Sequence, residues 1–338
     1  MLDIQNIIAN VKPDYVFVLT DENTHRLCLP LLQVGLQNTD YSELTIAAGD
    51  AVKNVETLNA IWHFLSENGA TRQSLLLNVG GGTVTDIGGF AAATFKRGIR
   101  FVNIPTTLLA IVDAAFGGKT GINFDGLKNQ IGAFAQPEDT IVNIDFLKTL
   151  DTKNLLAGFA EMLKHSLLSD YAFFNQTYGF DLDTFDLDEL KILVIKNMLF
   201  KQSITRNDFN ENGRRTILNF GHTFAHAFES WFAKTDTPLL HGYAVAWGML
   251  CELYLSLLKL NFPKNIFLKI SHLIKNAYAK PDFDCKDCEA LYSIMRHDKK
   301  NVAQLVNFVL LADIGRPLIN QSATKEEIFE CLDFLREI

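Results

Sequence analysis

The chain has 338 residues, 48% of them hydrophobic and 21% charged, enough for two cores of ordinary globular composition. A net charge of −8 with no Lys/Arg block argues against a nucleic-acid footprint, though not against a local cationic pocket. No run of about 18 apolar residues occurs, so no membrane span is expected, and the N-terminus, with Asp3, lacks the basic, apolar and small-residue succession of a signal peptide.

Tyr15 to Leu19 is a short apolar run that reads as a strand, ending in polar Thr20–Asp21–Glu22–Asn23. Leu27 to Leu36 reads as helix. Leu44 to Ala47 is a second strand, closed by Gly49–Asp50. Val52, Val55, Leu58, Ile61, Trp62 and Leu65 recur at helical spacing up to Gly69. Leu75 to Val79 is a third strand, apolar but for Asn78, followed by Gly80–Gly81–Gly82–Thr83 and a helix to about Phe95. Phe101 to Ile104 and Thr140 to Ile144 are further strands. This alternation argues a parallel sheet with crossover helices. After about Leu150 the texture changes. Leu155–Leu168, Leu187–Ile204, Ile217–Phe232, Ala244–Leu260 and Ile266–Ala277 are long and helical in period, with the short apolar run Leu305 to Leu311 as the one exception. The expectation is an α/β, Rossmann-like domain over residues 1–150 and an all-α domain over residues 151–338.

The five cysteines, Cys28, Cys251, Cys285, Cys288 and Cys331, are odd in number and scattered, which fits a reducing cytoplasm. Cys285 and Cys288 have no second pair, so they read as a surface coincidence and not as a structural zinc site.

Three chemical signals stand out. The triple glycine after an apolar strand lets the backbone approach a pyrophosphate, and the helix behind it offers free N–H groups. A tight turn needs fewer glycines, so nucleotide binding is favoured, with Asp86 four residues on. Gly117–Gly118–Lys119–Thr120 resembles the end of a Walker A motif but lacks its earlier glycine and follows no strand, so it is not read as an ATPase loop. Instead Asp113, Lys119, Lys128 and Asn129 gather an acid, two cations and an amide, which suits an anionic, hydroxylated substrate. Finally, His222 and His226 are four residues apart and share a helix face, His241–Gly242 follows, and Glu161 lies beside Lys164 and His165 at helical spacing. A Glu with two imidazoles is a catalytic zinc set that also suits ferrous iron.

Together these pieces resemble the 3-dehydroquinate synthases of the sugar-phosphate cyclase superfamily. The resemblance rests on Gly80–Gly81–Gly82 with Asp86, Phe90–Thr94 with Arg97–Gly98, Pro105–Leu109 with Asp113, Gly117–Asn123, Lys128–Asn129, Gly158–Lys164, Asn219–His226 and His241–Gly242, in the family's order over nearly the whole chain. It implies an N-terminal NAD-binding domain, a helical C-terminal domain, an active site in the cleft between them, and a homodimer. It implies conversion of 3-deoxy-D-arabino-heptulosonate 7-phosphate to 3-dehydroquinate with loss of phosphate, through transient oxidation by NAD, elimination, re-reduction, ring opening and aldol closure.

Carried over by position, Glu161, His222 and His241 are the metal ligands, for zinc first and cobalt second. This displaces the initial pairing of His222 with His226. Asp21, Asn23, Asp50, Lys53, Gly80, Gly81, Gly82, Asp86, Thr106 and Thr107 match NAD contacts. Asp113, Lys119, Lys164 and His226 match the catalytic group. Lys128, Asn129, Lys201, Arg215, Asn219 and the Asp298–Lys299–Lys300 motif match substrate contacts, and Arg97 a residue that reaches the neighbouring subunit. Two positions depart from the family: Asp50 stands where Glu is common, and Thr85 where glycine is usual.

The rivals are a sister cyclase acting on another phosphorylated sugar, a metal-dependent alcohol dehydrogenase of related fold, and a non-catalytic nucleotide-binding protein. Lys128–Asn129, Arg215 and Asn219 favour a carboxylate-bearing substrate over a neutral sugar. A dehydrogenase needs fewer anion-binding residues, and a decayed site would show losses in the metal set.

Overall fold

The computed structural model describes residues 4–233, 235, 238–296 and 306–338, and it divides between Leu155 and Leu156 into two units. In the first, helix α1 (Ile4–Val11) leads to strand β1 (Val16–Asp21), short helix α2 (Glu22–Leu27) and strand β2 (Tyr41–Ile46). Helix α3 (Val55–Glu67), strand β3 (Leu75–Gly80), helix α4 (Gly82–Thr94) and strand β4 (Arg100–Pro105) follow. Then come a hairpin of β5 (Lys119–Phe124) and β6 (Leu127–Phe134) and the two-residue strand β7 (Asp139–Thr140). The sheet runs β2-β1-β3-β4-β7, parallel throughout.

Pleating divides the strand side chains between two cores. Val16, Val18, Leu75, Leu77, Val102 and Ile104 face Ile4, Leu29, Leu32 and Phe146. Phe17, Leu19, Leu76 and Phe101 face Leu58, Ile61, Val84 and Ile87 of α3 and α4. Burial on both faces is why these strands read as continuous apolar runs. Because β2 lies on one side of β1 and β3 on the other, the winding reverses between β1 and β3. Open α/β sheets place ligands outside the strand carboxyl ends at such a reversal. Asp21 ends β1 there and Gly80 ends β3.

Several local expectations are corrected. The helix expected over Leu27–Leu36 is α2, ending at Leu27, followed by a 3-10 turn at Leu29–Leu32, because Pro30 lacks the N–H a continuing helix requires. Val52 lies in a 3-10 turn ahead of α3. Only Asp139 and Thr140 pair in the strand expected to run to Ile144. The β5–β6 hairpin was not expected at all; its two-residue turn is Asp125–Gly126, both at positive φ.

In the second unit the elements are α5 (Thr152–Ser169), α6 (Tyr171–Tyr178), α7 (Leu187–Thr205), α8 (His222–Phe232), α9 (His241–Leu260), α10 (Lys264–Ala277), α11 (Cys288–Arg296), the hairpin β8 (Asn307–Asp313) and β9 (Arg316–Ser322), and α12 (Lys325–Glu337). The unit is helical, but of the exceptional apolar run Leu305–Leu311, the residues from Asn307 on form a strand of an antiparallel hairpin turned at Gly315 with φ 72°, while Leu305 lies outside the described residues. The expected helix Ile217–Phe232 is broken into a 3-10 turn, Arg214–Asn219, and α8, with Gly221 at φ 81° between them. A Cβ at Gly221 would stand 2.6 Å from the Cγ of Met249, so α8 and α9 pack too closely there for any other residue. Among the described residues α9 is long and apolar enough to cross a membrane by length and composition, against the expectation above, and most of it is buried within this unit. Cys285 is exposed but Cys288 is buried, so that pair is not simply a surface feature.

Candidate active site

Glu161 is fully buried in the middle of α5. Its Oε1 lies 3.6 Å from His222 Nε2 and 3.3 Å from His241 Nε2, while its Oε2 pairs with Lys164 Nζ. Potential ligand atoms of Glu161, His222 and His241 all lie within 4.8 Å of one another. The far side of each imidazole is already engaged. His222 Nδ1 is 3.1 Å from the carbonyl oxygen of Phe220, and His241 Nδ1 is 3.2 Å from Glu229 Oε1. Both partners only accept, so each Nδ1 carries a hydrogen, which leaves each Nε2 as the ring nitrogen a cation would take. That is the tautomer a cation requires, and the O, N, N donor set with a held outer layer fits zinc or cobalt. Burial works against charge on His241, but the carboxylates of Glu229 and Glu161 outweigh it and push its pKa up to about 10. His226 lies one helical turn on, its ring edge-on to His222 at 5.5 Å between centroids.

Three cations of this unit are held inside it. Lys164, Lys201 and Arg215 are all buried. Arg215 Nη1 donates to the Phe209 carbonyl at 2.6 Å, and Asn219 Nδ2 donates to Glu211 Oε1 at 2.9 Å. Burying so many ammonium and guanidinium groups is costly unless anions meet them. Glu252, on α9, is buried too; it accepts from the backbone N–H of Gly221 at 2.7 Å and of Thr223 at 3.3 Å, clamping the residues on either side of His222.

In the sheet unit, β3 passes into α4 through Gly80 and Gly81. A Cβ at Gly80 would stand 2.4 Å from Val84 Cβ, so this turn closes only around glycine. α4 begins with no side-chain cap, leaving its first N–H groups for an anion. Lys53 is buried, 2.5 Å from Asp86 Oδ2 and 2.5 Å from Asn129 Oδ1. Asp50 Oδ2 accepts from Asn123 Nδ2 at 3.0 Å and pairs with Lys128 at 3.3 Å. Expected cofactor residues Lys53, Asp50 and Asp86 are thus tied to expected substrate residues Lys128 and Asn129. Asp21 caps α2 by accepting from the N–H groups of Asn23 and Thr24. Thr106 N donates to Gly80 O at 3.0 Å, and Thr107 Oγ1 accepts from Ala110 N at 3.1 Å. Asp113 sits in a π-helical turn, Ala110–Ala114, and Lys119 opens β5.

Models of the 3-dehydroquinate synthase N-terminal and C-terminal domains match residues 43–157 and 158–301. The chain is 48% identical over 335 residues to the 3-dehydroquinate synthase of Parabacteroides distasonis, covering 99% of this chain and 95% of that one. The chain belongs to the 3-dehydroquinate synthase family. Among solved structures, its fold is similar to 2-epi-5-epi-valiolone synthase from Streptomyces hygroscopicus subsp. jinggangensis with NAD+ and Zn2+ bound (TM-score 0.88, 24% identity, 99% and 94% of the two chains). It is also similar to 2-deoxy-scyllo-inosose synthase with carbaglucose-6-phosphate, NAD+ and Co2+ (TM-score 0.84, 21% identity, 99% and 94%).

Against the family's pattern, Lys299 and Lys300 lie outside the described residues. Arg97 is exposed at the C-terminal end of α4, about 20 Å by helix rise from the glycine turn that opens it. The departure at Thr85 is absorbed locally: its side chain is buried and its hydroxyl donates to Gly82 O at 3.1 Å. Glu229 and Glu252 were missed in the sequence. Glu229 could have been found, since it stands seven residues after His222 and three after His226, on the same helical face.

Proposed function

We propose that the chain converts 3-deoxy-D-arabino-heptulosonate 7-phosphate to 3-dehydroquinate and phosphate, with NAD+ and a divalent cation, zinc or in its place cobalt, as cofactors. The observation that carries this reading is the Glu161–His222–His241 donor set with both Nδ1 atoms already engaged. When bound, NAD+ supplies a reversible hydride acceptor, and the cation acidifies the hydroxyl to be oxidised.

Residues 1–150 are assigned to NAD+ and residues 151–338 to metal and substrate. In the first, the free N-terminus of α4 with Gly80, Gly81 and Gly82 receives the pyrophosphate, and Asp21, Asn23, Asp50, Lys53, Asp86, Thr106 and Thr107 surround the nucleotide. Lys119, Lys128 and Asn129 contribute cations and an amide from the β5–β6 hairpin. In the second, Lys164, Lys201, Arg215 and Asn219 bind carboxylate and phosphate, holding the sugar in one pose. His226 and Asp113 handle protons at the reacting hydroxyls. Elimination needs no carboxylate base from the protein, because an oxygen of the departing phosphate can take the proton from carbon.

The reading includes a cytoplasmic homodimer. Supporting it, the β5–β6 hairpin leaves Phe124, Leu127, Ile131 and Phe134 exposed, and Arg97 lies beyond the C-terminal end of α4, far from the glycine turn at its start.

The test follows inorganic phosphate released from the heptulosonate 7-phosphate with catalytic NAD+ and added Zn2+. Chelator-sensitive release without net NADH is expected. NADH accumulating with substrate loss would replace this reading with a dehydrogenase, and release only from another sugar phosphate would replace it with a sister cyclase.

A further inference from the structure

We propose that Glu229 is a positioning residue of the cation centre, holding His241 through Nδ1 so that Nε2 is aimed at the ion. The inference rests on the reading that Glu161, His222 and His241 bind the cation.

The two imidazoles are oriented differently. His222 is fixed through the Phe220 carbonyl, a backbone group that moves only with the chain. His241 is the first residue of α9, preceded by Leu240, which provides no side-chain cap, and its side chain is 29% exposed. Its orientation therefore depends on another side chain. Glu229 Oε1 lies 3.2 Å from its Nδ1, and Glu229 is only 3% exposed. A buried carboxylate demands donors, and the His241 imidazole N–H at 3.2 Å is one of them. The carboxylate selects the Nδ1–H tautomer and increases the electron density at Nε2. Glu229 belongs to α8, as His222 does, and His241 begins α9. The contact thus ties the start of α9 to the helix carrying the other imidazole. An ion pair that only braces α8 against α9 is the competing account, and it predicts no effect specific to the metal.

The experiment measures Co2+ affinity of metal-stripped full-length protein by competition with a chromophoric chelator, and records the ligand-field spectrum of the Co2+ form. The variants are Glu229→Gln, Glu229→Ala, Glu229→Asp and His222→Ala. Loss of the carboxylate in the Gln and Ala variants is expected to weaken Co2+ binding by roughly 10–100-fold and to shift the spectrum. Glu229→Asp is expected to recover part of the affinity, and the affinity loss in Glu229→Gln to exceed the stability lost by its metal-free form. Parental affinity and spectrum in both the Gln and Ala variants would overturn the role of Glu229, as would an affinity loss matched by equal destabilisation of the metal-free protein in every variant. If the parent takes up no Co2+, or if His222→Ala still binds it, the cation centre itself is misassigned. Binding lost in His222→Ala but intact in the Glu229 variants refutes the positioning role alone.

Discussion

Lys53 Nζ sits 2.5 Å from Asp86 Oδ2 in the sheet unit, with the lysine side chain 5% and the aspartate 19% exposed. The pair joins the turn after β2 to α4, and Asn129 brings in β6. Removing the negative partner alone would leave a buried ammonium with a single neutral acceptor among these contacts. Asp86→Asn is therefore expected to lower stability by about 3 kcal/mol, the low end for a broken buried pair because Asp86 reaches solvent. Lys53→Met, which removes the buried charge itself, is expected to cost less. Urea unfolding gives the order of the two, and fluorescence titration should show weakened NAD+ binding in both. A more severe loss in Lys53→Met would contradict the argument.

The glycine turn permits a sharper test. In Gly80→Ala the new methyl would meet Val84 Cβ at 2.4 Å, so β3 and the start of α4 must separate. Overpacking of this kind costs about 1–3 kcal/mol, and here it also displaces the N–H groups proposed for the pyrophosphate. Val84→Ala added to Gly80→Ala should restore part of both stability and NAD+ affinity, a coupling that a double-mutant cycle reads directly. Purely additive effects would mean that the clash is relieved elsewhere.

For the cation centre, His222→Ala is expected to abolish metal uptake and turnover while circular dichroism shows the fold retained. Stripping the parent with a chelator should give the same loss of phosphate release, restored by Zn2+ or Co2+. Full turnover in a metal-free His222→Ala sample would remove the centre from the mechanism.

Much of the sheet unit was legible because its strands are buried on both faces, which leaves apolar runs such as Leu75–Val79 that only a central strand explains. The hairpin was not seen, although Asp125–Gly126 carries a strong turn signal; its strands are too exposed to show a core pattern. In the helical unit the period of α8 was visible but not the break at Gly221, which is set by the backbone of Met249 on α9, 28 residues away in sequence. The same holds for the site. The spacing of His222 and His226 suggested a pair on one helix, whereas the residues whose ligand atoms lie within 4.8 Å of one another, Glu161, His222 and His241, come from three helices, and no local pattern links Glu161 to His241. Only likeness to a known family did so. Outer residues such as Glu252 act on backbone N–H groups, which leave no mark in the sequence.

Asp208 supplies a prediction of the same kind. Its Oδ1 accepts from Asn212 N at 2.9 Å, and its Oδ2 accepts from Gly213 N at 2.8 Å and Arg215 N at 2.9 Å. The loop is thereby wound so that Arg215 enters the interior. The Arg215 N–H, ahead of the other contacts, holds the Asp208 carboxyl below its ordinary 3.8. A depressed value means that its contribution is fully present above the ordinary value and is lost only as pH falls through the lower, folded one. Across the neutral range Asp208 therefore stays ionised, and Arg215 placement should not titrate with it. Asp208→Asn puts an amide N–H₂ where one oxygen accepted, so the loop should loosen, raising KM for the phosphorylated sugar acid several-fold with a smaller change in kcat. The ratio of KM between variant and parent should stay constant through neutral pH. A ratio that collapses to one in mildly acid buffer would show Asp208 titrating with a raised pKa, and a parental KM in Asp208→Asn would show that Arg215 is placed by other contacts.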